Sequence, residues 1–262
     1  MKGGLVLKSS EQISEELLTS VLPLINNNED VVVIHSDLMK LGFNRCNDYP
    51  DGLVFFLESL LNRGKTIVIP SFTFSFSKDK LFNIETSPYE TGSLAWLAKT
   101  KLGFTRTHNP MFSFCVKGPK SDDFLNSRWD TGYGTGTSVE LLSRPDTTIL
   151  MLGCNWSYCT LIHNVEERLA VPYREYIEWY YPMDFGEYSI IDQPFSLYVR
   201  KKTLKTKLRF EKIREELQHN GLLRQSKIND TIIEGSNGYD IAKIAEQKMS
   251  DNPYFFVDLI NE

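Results

Sequence analysis

The sequence is poor in cysteine. Cys46, Cys115, Cys154 and Cys159 are four in 262 residues, too few for this length to read as a disulfide framework. Long apolar runs are missing too: Val31 to Ile34 and Ile67 to Ile69 have strand length, against the ~20 residues of a membrane-spanning helix. The first residues, Met1 to Lys8, lack the apolar centre and small-residue cleavage site of a signal peptide, which sets the expectation of a cytoplasmic protein. No repeat, low-complexity tract or linker rich in Pro, Gly or Ser divides the chain, so one domain over residues 1–262 is expected. There is no large charge excess. A net charge of -5 argues against nucleic acid, whose binders carry a basic patch, and decides nothing more. Around Gly134 and Gly136 neither G-K-[ST] nor G-x-G-x-x-G follows, which excludes a P-loop or a dinucleotide fingerprint there.

What is present alternates between two periodicities. Hydrophobic content of 41% and aromatic content of 12% fit an ordinary soluble core. Apolar residues at helical spacing run from Glu11 to Leu24, from Leu53 to Leu61, around Ser93 to Lys99, from Ser138 to Leu142, from Lys207 to His219 and from Tyr239 to Met249. Short β-branched or apolar runs predict strands at Asp30 to His35, Lys65 to Pro70, Phe112 to Lys117 and Thr148 to Leu152. Tyr188 to Ile191 and Phe195 to Val199 read as an antiparallel pair about a turn at Asp192 to Pro194. Strands alternating with helices imply a layered α/β/α domain with a central mixed β-sheet.

In such sheets, sites gather where strands end and loops begin. Three strand ends carry small polar residues: His35, Ser36 and Asp37; Ser71 and Thr73; and Gly153 onward. Ser36 or Asp37 can equally cap a short helix at Leu38 to Leu41. The third strand end leads into a helix starting near Thr160, where His163 and Glu166 stand three apart and so share one face. That is a common way to deliver a general base to a cleft. A surface pair, a core histidine and a purely structural helix are the alternatives.

The segments resemble the aminoglycoside 3-N-acetyltransferase-like family, whose fold differs from the common GNAT acetyltransferase fold. Val33 to Gly42 is similar to the family's V-H-S-S-L-x-x-L-G, Ile69 to Thr73 to its M-P-T-F-T, and Arg106 to Phe114 to its R-S-x-H-P-x-H-S-F. Tyr133 to Leu142 stands where the family has a glycine and serine turn before a helix. The Leu150 to Glu166 stretch resembles L-L-G, a loop and T-x-x-H-x-x-E, with Pro172, Tyr173 and Arg174 following, and Phe210 to Leu223 resembles the late helix and turn. Six pieces keep the family's order.

The resemblance implies transfer of an acetyl group from acetyl-CoA to a primary amine on a sugar. His163 would be the base and Glu166 its orienting carboxylate. His35, Ser36, Asp37, Leu38, Ser71, Thr73, Gly134, Gly136, Thr137 and Ser138 would line the pantetheine arm and the acetyl carbonyl, with oxyanion donors from the Gly134 and Gly136 amides and the Thr73 or Ser138 hydroxyls. The chain departs from the pattern at Asp37, Asn109 and Phe112, where the family has serine, histidine and histidine. With adjacent His108, the last two would form the acceptor side, and the departures favour a nucleotide-linked amino sugar for surface polysaccharide over an aminoglycoside. A catalytically inactive CoA- or sugar-binding scaffold is the reading from another class. The spacing of Cys154, Cys159 and His163 invites zinc, but no fourth ligand lies nearby in sequence, so no metal is expected. Cys159 as the nucleophile of a Cys–His hydrolase is a further alternative. The aromatic run Tyr176 to Pro182 suits stacking on a sugar or adenine, core packing, or a contact in a homodimer.

Overall fold

A computed structural model describes residues 8–43 and 46–260. Its centre is built from the β-branched runs. Thr147–Leu152, Val31–Ser36 and Thr66–Pro70 lie side by side and parallel, with Val31 opposite both Thr147 and Thr66. Antiparallel strands extend this core on both sides. Phe114–Lys117 and then Thr105–Arg106 lie beyond Thr66–Pro70, and Thr231–Asn237 and then Arg224–Ile228 lie beyond Thr147–Leu152. The outcome is a seven-stranded mixed sheet.

Because strand side chains alternate between faces, one buried cluster takes Val31, Val33, Val68, Ile149 and Met151, and another takes Val32, Ile34, Ile67, Ile69, Leu150 and Leu152. Helices Leu161–Arg168, Lys212–His219 and Gly238–Asp251 cover the first face. Helices Ser10–Val21, Tyr49–Asn62 and Ser93–Leu102 cover the second. Each fully buried Val, Leu or Ile contributes about 1.5–3 kcal/mol, so the two clusters account for the layered α/β/α arrangement. None of the described helices is long and apolar enough to cross a membrane.

Several element boundaries differ from the sequence expectation, each for a local reason. The first helix starts at Ser10, after a capping box between Ser9 and Gln12, and gives way to a 3-10 turn at Leu22–Leu24, where Pro23 has no N–H to continue the ladder. The expected helix at Lys207 to His219 starts only at Lys212, since Thr206–Leu208 pairs with Val257–Leu259. Phe195–Arg200 pairs with Arg174–Trp179, not with the Tyr188 region, of which only Ser189–Ile190 is strand. The hairpin Arg224–Ile228 and Thr231–Asn237 was not expected, because its first strand is mostly polar. Its polarity is used: Arg224 makes two hydrogen bonds to the fully buried carboxylate of Glu29, at 2.6 and 3.0 Å, and Asn237 adds another at 2.8 Å.

Candidate active site

The three parallel strands end at one edge of the sheet, and the turns after Val31–Ser36 and Thr147–Leu152 touch. Gly153 has φ +75°, and a Cβ there would stand 2.6 Å from the Asp37 carbonyl oxygen, so only glycine permits this approach. The Asp37 amide in turn donates to the Leu152 carbonyl at 2.8 Å. Over this edge lies a cavity of about 1560 Å³. His35, Ser36, Asp37 and Leu38 line it from the first strand end, and His163 lines it from the third.

His163 sits on the helix Leu161–Arg168 with 17% of its side chain exposed. Its Nδ1 is 2.7 Å from Glu166 Oε2, and Arg174 Nη2 lies 2.9 Å from the same nitrogen and 2.8 Å from the same oxygen. Tyr173 donates its hydroxyl to Glu166 Oε1 at 2.6 Å. The ionised carboxylate only accepts and the guanidinium only donates. Charge-assisted bonds are the stronger ones, so the carboxylate collects Nδ1–H, Arg174 N–H and Tyr173 O–H. That tautomer leaves the Nε2 lone pair bare, and Nε2 has no hydrogen-bond partner among the described residues. Tyr133 stacks on the imidazole with ring centroids 4.7 Å apart, and Phe210 meets it edge-on at 4.8 Å.

The electrostatics suit a base. Burial and the neighbouring Arg174 charge hold His163 below the ordinary histidine range, against the opposite pull of Glu166. Burial alone would raise Glu166, but Arg174 and the hydrogen bonds from His163 and Tyr173 outweigh it and keep the carboxyl below its usual value. The group therefore presents a neutral imidazole beside a paired, ionised carboxylate.

The other expected site residues divide. His35, Ser36, Asp37, Leu38 and Phe112 line the same cavity as His163, and Glu166 stands behind the imidazole. Asp37 occupies the cap position of the 3-10 turn Leu38–Leu41 but makes no side-chain cap, pairing with Lys40 at 3.2 Å. Ser71 and Thr73 do not line the cavity. Both are buried: Ser71 bonds Ser113 at 3.1 Å, and Thr73 donates to the Pro88 carbonyl at 2.9 Å. The buried Arg106 organises this strand end, reaching the carbonyls of Ser71 and Ser87 at 2.8 Å each and lying over the Tyr89 ring at 4.4 Å.

Gly134, Gly136, Thr137 and Ser138 also lie outside the lining. Thr137 caps the short helix Ser138–Leu141, the Gly136 amide donates to Glu140 at 2.8 Å, and Ser138 bonds Ser127 at 2.6 Å. Of the expected oxyanion donors, the Gly136 amide and the Thr73 and Ser138 hydroxyls are thus committed to the fold, and Gly134 stands outside the cavity lining. His108 does not line the cavity either; it packs on Phe185 and bonds the Tyr188 hydroxyl at 3.0 Å. Asn109 is buried in a turn of its own, accepting from the Met111 and Phe112 amides at 3.1 and 2.7 Å and donating to the Thr131 carbonyl at 2.8 Å. Phe112, with Phe72, Phe74 and Tyr133, makes the apolar wall. The Tyr176 to Pro182 run starts in the Arg174–Trp179 strand; Tyr176 within the strand and Tyr180 just beyond it stay exposed, and Trp179 stacks on Phe195.

Burial pushes the thiols of Cys154 and Cys159 up to about 12. Cys159 therefore holds no thiolate near neutral pH and is unsuited to the nucleophile role of a Cys–His hydrolase. Among the described residues, no group of three His, Cys, Asp or Glu side chains is placed to hold a metal ion.

His35 is almost wholly buried, its Nε2 has no hydrogen-bond partner, and desolvation lowers its pKa from 6.5 to about 4. The folded state binds fewer protons than the unfolded chain between these values. The contribution is intact above pH 6.5 and is lost progressively as pH falls toward 4, on the order of 3 kcal/mol in total. Urea unfolding of the protein and of His35→Gln across this range should show profiles that diverge by that amount; parallel profiles would remove His35 as a source of acid sensitivity.

Comparison with known proteins agrees with the architecture. The sequence model of the aminoglycoside 3-N-acetyltransferase family matches residues 33–250. The chain belongs to this family. It is 27% identical over 161 residues to aminoglycoside N(3)-acetyltransferase IV of Salmonella sp, a match covering 60% of each chain. It is 26% identical over 85 residues to aminoglycoside N(3)-acetyltransferase VIII of Streptomyces fradiae, covering 32% of this chain and 30% of that one. The matches thus span less than two thirds of these curated relatives. A solved structure described as AAC-IIIb binary with CoASH superposes with a TM-score of 0.74 at 19% identity, covering 93% of this chain and 97% of the other. At that identity the likeness shows the shared fold.

Proposed function

We propose that this chain transfers the acetyl group of acetyl-CoA to a primary amine of an aminoglycoside in the cytoplasm, with His163 as general base. One observation carries the proposal: an imidazole held at Nδ1 by Glu166 and Arg174, with Tyr173 behind the carboxylate, lines a cavity of about 1560 Å³ and keeps Nε2 without a hydrogen-bond partner among the described residues. Ligand pockets of ~300–1,000 Å³ hold a single drug-sized molecule, so this cavity has room for a thioester and a sugar together.

An alkylammonium cannot attack until it loses a proton. The ammonium releases its first proton to solvent; Nε2 takes the second from nitrogen as the N–C bond forms, and Glu166 stabilises the resulting imidazolium. When the C–S bond breaks, the electron pair leaves on sulfur and His163 returns the proton to the thiolate. The products are an amide and free CoA thiol, with no covalent enzyme intermediate.

Both curated relatives are named for aminoglycosides, which favours that acceptor over the nucleotide-linked amino sugar. The argument for the latter also loses its footing at Asn109, because that side chain is taken up by its own turn and does not reach the cavity. The assembled hydrogen bonds of His163 speak against an inactive scaffold. The test is thiol release from acetyl-CoA with gentamicin, sisomicin and apramycin beside nucleotide-linked 3-amino and 4-amino sugars. Acetylation of at least one aminoglycoside is expected. Turnover confined to the nucleotide-linked sugars would overturn the acceptor assignment.

A further inference from the structure

The lining of the cavity also carries a run of cations, the first of which, Arg200, adds to Arg174 in disfavouring the His163 imidazolium. Where Phe195–Arg200 leaves its hairpin, Arg200, Lys201 and Lys202 line the cavity in succession. Lys201 and Lys202 form no ion pair among the described residues. Arg200 donates one guanidinium N–H to the Thr206 carbonyl at 2.7 Å, which orients the group without neutralising it. The backbone of this turn is held: the Lys201 amide donates to the Tyr173 carbonyl at 2.9 Å, and the Leu204 amide to the Lys201 carbonyl at 3.2 Å.

The opposite sign is scarce in the lining. Asp37 is paired with Lys40, and Glu90 accepts from the Phe74 and Ser75 amides at 2.6 and 3.1 Å. The turn is also tied to the catalytic group. Tyr173, which holds its backbone, donates to Glu166, and Arg200 stands opposite Arg174 in the hairpin ladder.

We infer that the Arg200–Lys202 turn binds the phosphates of the CoA nucleotide, leaving the pantetheine arm to run along the apolar wall toward His163. The inference rests on acetyl-CoA being the donor. Closely spaced cations attract a polyanion strongly, and a fixed guanidinium matches phosphate geometry. A phosphate could also arrive on a nucleotide-linked acceptor, so the donor must be varied with the acceptor held constant.

The experiment compares kcat/KM for acetyl-CoA with kcat/KM for acetyl-pantetheine, which carries the same thioester without the nucleotide phosphates. In Lys201→Glu/Lys202→Glu the ratio should fall at least tenfold, mainly through KM for acetyl-CoA. The milder Lys201→Ala/Lys202→Ala should lower it in the same direction, and it guards against effects of charge reversal on folding. A ratio within twofold of the parent protein in both variants would overturn the assignment. So would a parent protein that uses acetyl-pantetheine as well as acetyl-CoA, with the acetyltransferase proposal left standing. If the parent protein released thiol from neither thioester, both proposals would fall together.

Discussion

His163→Asn is expected to lower kcat/KM for the amine by on the order of 10³-fold while acetyl-CoA binding, measured by calorimetry, stays within a few-fold. Asparagine keeps a polar group near the position of the ring but cannot carry a proton from the amine to the departing thiolate. The defect should shrink at high pH, where more of the acceptor is already deprotonated and can attack unaided. In the parent protein, activity should fall in acid as Nε2 becomes protonated. The limb should lie below the ordinary histidine value of 6.5, because burial and the Arg174 charge both disfavour the imidazolium. Arg174→Met should move that limb upward. Activity of His163→Asn within a few-fold of the parent would remove His163 from the role of base.

Glu166→Gln should give the largest loss of stability, about 3–5 kcal/mol by denaturant titration, because it leaves the Arg174 guanidinium uncompensated in the interior. Both side chains are nearly inaccessible, at 3% and 0% exposure, and their atoms stand 2.8 Å apart. The amide also accepts less strongly from Nδ1–H, so the competing tautomer, with the proton on Nε2, gains population and the base is lost with the fold stability. Glu166→Gln/Arg174→Met should recover part of the stability without recovering activity. A cost below ~1 kcal/mol for Glu166→Gln alone would mean that the pair is not held as a buried ion pair.

Much of the scaffold was legible because its signal is local. A run such as Val31 to Ile34 is apolar on both faces, which suits a strand covered on both sides, and the structure buries all four residues completely. The His163 and Glu166 spacing was legible for the same reason, since three residues along a helix place two side chains together. The hairpin at Arg224 to Asn237 was not, because the partner that makes its arginine tolerable, Glu29, is 195 residues away. The strand-end hydroxyls misled in a related way. Ser71 and Thr73 look exposed at the end of a strand, but Arg106 and the loop at Ser87 and Pro88 close over them.

The sequence by itself determined the layered α/β/α scaffold, the ordered family segments, and the helical pairing of His163 with Glu166, all of which depend on periodicity and neighbouring residues. The tertiary structure alone decided what that pair is. It brought Tyr173 and Arg174 onto Glu166, stacked Tyr133 on the imidazole, and withdrew Asn109 and the Gly134 to Ser138 turn from the cavity. The reason is physical: a side chain's protonation and reach depend on burial and on charges within a few ångströms, and those neighbours come from distant parts of the chain.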